Sequence, residues 1–160
     1  MNFILASTAI SAVAISLAAS SAGAQSPAAD HLTQAQLAEL AQTLEADAQK
    51  NGSASKKLKE YPNHYTMIAL REKSGGAEIH ENFADFFFVV KGRATLVTDG
   101  KVVDAKTVSP GETLGTSLLG GTRQILNQGD VVHIPAGVSH QLLLADGDTF
   151  TYFVIKVKEK

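Results

Sequence analysis

The feature that most constrains this chain is a change of period. Between residues 33 and 51 the apolar residues recur at helical spacing, whereas from Tyr61 onward they fall in short strand-length runs cut by Gly, Pro and Asp-Gly turns. Strands are expected over about residues 64–72, 77–81, 84–91, 93–98, 101–107, 123–126, 131–134, 139–145 and 148–157. Asp99-Gly100 is the clearest hairpin turn among them, because both central residues of such a turn must tolerate positive φ. Many short strands with close turns argue for a sandwich or a barrel.

Ahead of the strands one helix is expected. Thr33 and Gln36 form a capping box, Leu32 and Leu37 have the spacing of a hydrophobic staple, and the helix stops at Asn51-Gly52. Leu37, Leu40, Ala41, Leu44 and Ala48 share one face, which needs the outside of the barrel or a second subunit to lie on. Residues 1–24 carry no Lys, Arg, Asp or Glu, run largely apolar from Phe3 to Ala19 and end in Ala22-Gly23-Ala24. They read as a signal peptide cleaved after Ala24, which implies a periplasmic or secreted protein with no membrane attachment after cleavage. Residues 25–55 then form a linker and the helix, and 56–160 a barrel domain.

With 160 residues there is room for one domain with one core. The absence of cysteine removes disulfides as a staple, so stability must come from the core, a subunit partner or a metal. The 14 basic and 16 acidic residues give a net charge of −2 with no block of like charge, so there is no nucleic-acid footprint. The expected partners are a small molecule and a second copy of the chain.

Two stretches carry the candidate chemistry: Glu78-Ile79-His80 with Asp85 and Gly92, and the run from Gly129 to His140. Residues two apart in a strand point to the same face, so Glu78 and His80 can aim into one cavity. His140, beyond the Pro135-Ala136-Gly137 turn, can approach from a neighbouring strand. Gly129, Pro135, Gly137 and His140 stand at the spacing G-x5-P-x-G-x2-H, and the earlier stretch is a degraded G-x5-H-x-H-x3/4-E-x6-G. Over about residues 65–157 this pattern resembles the cupin superfamily. Leu144 occupies the place of the motif's final Asn, Glu78 that of the first histidine, Asp85 that of the glutamate and Glu72 that of the opening glycine. In a second register His80 is the first histidine and Asn82 a failed second one.

The resemblance implies an all-β fold, the double-stranded β-helix or jelly-roll barrel, here with one N-terminal α-helix. It also implies a divalent transition metal held by His80, Asp85 and His140, with Glu78 as a fourth ligand. Imidazole nitrogen with carboxylate oxygen suits Mn, Fe, Zn, Ni or Co. Asp85, one methylene shorter than Glu, and Glu78 are both open as the carboxylate ligand. Buried carboxylates need a cation, and Arg123 is an alternative counter-ion to a metal.

His133, two residues before Pro135, is the candidate catalytic residue as a general acid or base; a pocket wall and a group orienting a ligand are the other readings. If Asp85 points inward, so do Phe87 and Val89, which puts Phe86 and Phe88 on the outer face, under the helix or at a homodimer interface. The segment 110–121 is expected to rim the barrel mouth. Two functions remain in view: a metal-dependent enzyme on a small organic substrate, and a non-catalytic binder of a small ligand.

Overall fold

The computed structural model describes residues 29–159, so the expected signal peptide lies outside the described residues. Residues from Leu32 onward form one compact unit. Among the described residues no helix is long and apolar enough to cross a membrane.

Two short helices, α1 (Gln34–Gln42) and α2 (Glu45–Asn51), stand where one was expected. The capping box is present, with Thr33 Oγ1 accepting from the Gln36 amide at 3.2 Å and Gln36 Oε1 accepting from the Thr33 amide at 2.8 Å. The helix breaks at Thr43, whose hydroxyl donates back to the Leu40 carbonyl at 2.6 Å and competes with the backbone ladder. Gly52, at φ 85°, ends α2 in the left-handed conformation. Ala41, Leu44 and Ala48 bury against Ile68, Leu70 and Val90 on the outside of the sheet. At roughly 1.5–3 kcal/mol for each large aliphatic side chain fully buried, this contact holds two helices that are too short to persist alone.

Twelve strands follow among the described residues. They are β1 (Ser53–Glu60), β2 (His64–Arg71), β3 (Ala77–His80), β4 (Phe83–Thr98), β5 (Lys101–Val103) and β6 (Lys106–Ser109), then β7 (Glu112–Gly115), β8 (Ser117–Leu119), β9 (Thr122–Asn127), β10 (Val131–Ile134), β11 (His140–Leu143) and β12 (Phe150–Lys158). The pairing is antiparallel throughout, in the order β1-β2-β12-β4-β11-β3-β7-β6, with β9 and β10 also on β4 and a separate β5-β8 ribbon.

The long strand β4 belongs to both walls of the barrel. Its first half pairs with β12 and β10, and its second half with β11 and β9. Between the walls lies the core, with Phe87 and Val89 from the first half, Leu96 from the second, and Phe150, Tyr152 and Val154 from β12. The expected strands 84–91 and 93–98 are thus one strand bent at Gly92. A register shift opposite Thr151 and Tyr152 leaves Val90 without a ladder partner, and Val90 joins the cluster beneath the helices.

Strand β1 has no apolar alternation to announce it, because it is an edge strand and its Lys56, Lys57 and Lys59 stand in solvent. The segment 110–121 holds β7 and β8 rather than a plain loop. On the outer face, Phe88 is 40% exposed beside Val131, its cross-strand partner, at 57%. The helices cover only part of that face.

Gly92 has φ 86°, and a Cβ built there would stand 2.0 Å from the Thr149 carbonyl oxygen. Gly92→Ala therefore combines backbone strain with a clash against main chain. We expect it to destabilise the fold by at least about 2 kcal/mol in denaturant unfolding; wild-type stability would show that β4 does not depend on this bend.

Candidate metal centre

Register brings the candidate ligands together. His140 on β11 lies directly opposite Glu78 on β3, and His80 follows two residues later on the same face. One ligand atom from each of Glu78, His80 and His140 lies within 4.8 Å of the others. Small side-chain adjustments let one ion with bonds of about 2.0–2.2 Å join all three.

Both rings are held with Nε2 facing this point. His140 Nδ1 lies 3.1 Å from the Val138 carbonyl oxygen, and because a carbonyl only accepts, Nδ1 carries the proton and Nε2 presents its lone pair. His80 Nδ1 lies 2.5 Å from Glu112 Oε2, a carboxylate that fixes the ring in the same sense. Glu112 is directly opposite His80 in the β3-β7 ladder. His80 Nε2 is buried, and its 3.3 Å approach to Glu78 Oε2 does not make a well-formed hydrogen bond. An orphaned ring nitrogen beside a carboxylate and a second imidazole fits a transition metal.

Asp85 comes from the opposite wall. Its Oδ2 stands 3.7 Å from His80 Nε2 and 3.6 Å from His140 Nε2, yet the carboxylate is turned to Lys156. Lys156 Nζ lies 2.7 Å from Oδ1 and donates to Oδ2 at 2.8 Å. The two residues face each other across the β4-β12 ladder. The second carboxylate has a cation as well, since Arg71 donates from Nη2 to Glu78 Oε1 at 3.4 Å and from Nε to the Tyr152 hydroxyl at 3.1 Å. The counter-ions are therefore Lys156 and Arg71, and Arg123 lies exposed on β9.

These charges set the protonation of the site. Burial alone would raise the Glu78 carboxyl, but contact with His80 and the nearby His140 and Arg71 outweigh it and hold it at about 2. Burial pushes His140 down, more strongly than its Val138 hydrogen bond and the neighbouring carboxylates push it up, which favours the neutral, ligating ring. Burial disfavours the His80 cation too, yet the contacts with Glu78, Asp85 and Glu112 prevail and raise it, so a metal bound at Nε2 would have to displace a proton held against Glu78.

His133 is not part of this group. It pairs with Phe86, which points away from the cavity, and its exposed ring stacks on the Phe86 ring at 4.3 Å. The inward neighbour on β10 is Ile134, opposite Asp85. Sequence reasoning missed Arg71, Glu112, Tyr152 and Lys156. For Lys156 a signal exists, a charge in phase with Tyr152 and Val154 along an apolar strand, although Phe153 and Ile155 make the other face look equally apolar.

The centre opens into a cavity of about 300 Å³. Arg71, Glu78, Asp85, His140, Tyr152 and Lys156 line it, interleaved along the same strands with Met67, Ala69, Phe87, Leu142 and Val154.

No family model and no curated protein matches the sequence. Solved structures do match it. The DMSP lyase DddQ from Ruegeria pomeroyi superposes with a TM-score of 0.51 at 15% identity, over 69% of this chain and 49% of that one. The cupin domain of Schizosaccharomyces pombe Cnp3 superposes with a TM-score of 0.51 at 9% identity, over 68% of this chain and 66% of that one. The chain thus spans about half the length of the lyase and about two thirds of the Cnp3 domain. A cupin 2 conserved barrel protein from Salinispora arenicola aligns at 20% identity over 68% of this chain and 78% of that one, with a TM-score of 0.48. The protein has the cupin fold, as the second motif suggested.

The pairing of Asp85 with Lys156 has a measurable consequence. Lys156→Met strands a carboxylate that is 2% exposed, and we expect a loss of about 3–5 kcal/mol in chemical denaturation. Asp85→Asn combined with Lys156→Met removes both charges and should recover most of it. Equal losses in the single and double variants would mean that the pair is not what neutralises Asp85.

Proposed function

We propose that this protein is an exported cupin that binds one divalent transition metal through Glu78, His80 and His140 and acts as a metal-dependent enzyme on a small organic substrate. The observation that carries the metal reading is the buried, unpartnered His80 Nε2 beside Glu78 and His140. Three protein ligands leave coordination positions free towards the cavity, which is the pattern of catalytic rather than structural metal sites. A divalent ion held there would polarise an oxygen of the substrate or acidify a bound water. Glu112 and the Val138 carbonyl orient the two imidazoles, and Arg71 positions Glu78. Asp85 serves as the partner of Lys156 rather than as a ligand.

The second reading, a non-catalytic binder, is favoured by one placement: His133, the residue the sequence singles out for proton transfer, stacks on Phe86 outside the cavity. Turnover across a panel of small substrates separates the two readings.

Metal content gives the direct test. Protein purified from its native compartment should carry close to one transition ion per chain by elemental analysis. Binding to the native state alone adds about 2.7 kcal/mol at a hundredfold excess over Kd, so chelation should lower the melting temperature. His80→Ala and His140→Ala should abolish both effects, whereas Asp85→Asn should keep the ion. Full occupancy in both histidine variants would move the site elsewhere.

Export and self-association belong to the same proposal. The uncharged run ending in Ala22-Gly23-Ala24 supports cleavage after Ala24, and the apolar face around Phe88 and Val131 supports a homodimer. Native mass spectrometry of the periplasmic protein should show two chains, each lacking residues 1–24, and Phe88→Asp should give single chains. A full-length monomer would remove both parts of the reading.

A further inference from the structure

We propose that the cavity takes its small ligand through a carboxylate group, with Lys156 and Arg71 as the counter-ions and the apolar lining residues receiving a short hydrocarbon portion. The inference rests on the metal reading above and assigns the class of ligand for that same site.

Charge is the first argument. Within the cavity wall Arg71 and Lys156 balance Glu78 and Asp85, pair for pair. A divalent ion at the three ligands adds two positive charges to this balanced set. Glu112, partly exposed behind His80, offsets only one. Excess charge in a buried site is costly, and a ligand anion relieves it where a neutral molecule does not.

Free donors are the second argument. An ammonium has three N–H donors, and Asp85 engages Lys156 through two contacts. A guanidinium has five, of which the bonds to Tyr152 and Glu78 use two. The neutral amide in the wall is already committed: Gln141 Nε2 donates to the Gly75 carbonyl at 2.8 Å, and its Oε1 accepts from the Leu118 amide at 3.0 Å. Burial pushes the Tyr152 hydroxyl up, so it keeps its proton and can donate to an anion. Arg71, Lys156 and Tyr152 thus keep donor capacity suited to a carboxylate, beside the neutral hydroxyls of Ser53 and Ser55.

Shape is the third. Met67, Phe87, Leu142 and Val154 line the cavity between the charged groups, Val154 and Phe87 forming the row next to Asp85 and Lys156. A polyol would leave hydroxyls unpaired against these side chains, whereas the tail of a short-chain acid fits beside them.

Calorimetric titration of zinc-loaded protein with butyrate and with butyramide tests the proposal. Butyrate should bind about tenfold tighter or better, the usual worth of a hydrogen bond to a charged group. The double variant Asp85→Asn/Lys156→Met removes a cation without stranding its partner, and it should keep zinc and lose most of that preference. The acid–amide comparison on the wild type decides the matter by itself if the double variant does not fold. Zinc bound at one per chain with equal affinity for acid and amide overturns the carboxylate proposal and leaves the metal centre standing. An undiminished preference in a folded double variant removes Lys156 from the assignment and overturns the proposal as stated. No zinc uptake by the wild type overturns the metal reading, and this inference with it.

Discussion

Charged groups inside an otherwise apolar barrel must be neutralised where they stand, and the interior of this protein is arranged around that requirement. An isolated buried carboxylate costs several kcal/mol, so each one here has a named partner. Asp85 is held by Lys156 from the adjacent strand, and Glu78 by Arg71, whose Nε also reaches Tyr152. His80 lies between Glu78 and Glu112. The result is a cavity in which paired charges alternate with apolar side chains along the same strands.

Strand β4 is what allows the cluster to form. Because it runs through both walls, Asp85 in its first half and the strands paired with its second half are placed by one continuous backbone. Glu78, His80 and His140 reach the centre from β3 and β11, while Asp85 and Lys156 reach it from β4 and β12. The bend at Gly92 sets the geometry between the two groups, which ties a backbone constraint to the composition of the site.

The departures from the cupin pattern then have a physical account. A carboxylate stands at the position of the first histidine, and its own cation, Arg71, comes with it. The glutamate position holds a shorter Asp85, which is paired with Lys156. Both carboxylates thus stand beside a cation, so a degraded motif is compatible with an organised cluster.

Much of the fold was legible in the sequence. The capping box at Thr33, the helix end at Gly52, the inward facing of Asp85, Phe87 and Val89, and the approach of His140 to Glu78 and His80 follow from local chemistry and from the period of two along a strand. Edge strand β1 was not legible, because a strand half in solvent has no apolar alternation. The sequence by itself determined which residues were able to meet at a metal, since ligand type and spacing are local properties. Only the tertiary structure decided that Glu78 lies close to both His80 and His140 while Asp85 turns to Lys156, that His133 stacks outward on Phe86, and that Lys156 and Arg71 each pair with a carboxylate. Those outcomes depend on register between strands far apart in the chain, where a shift of one residue would turn each side chain to the opposite face.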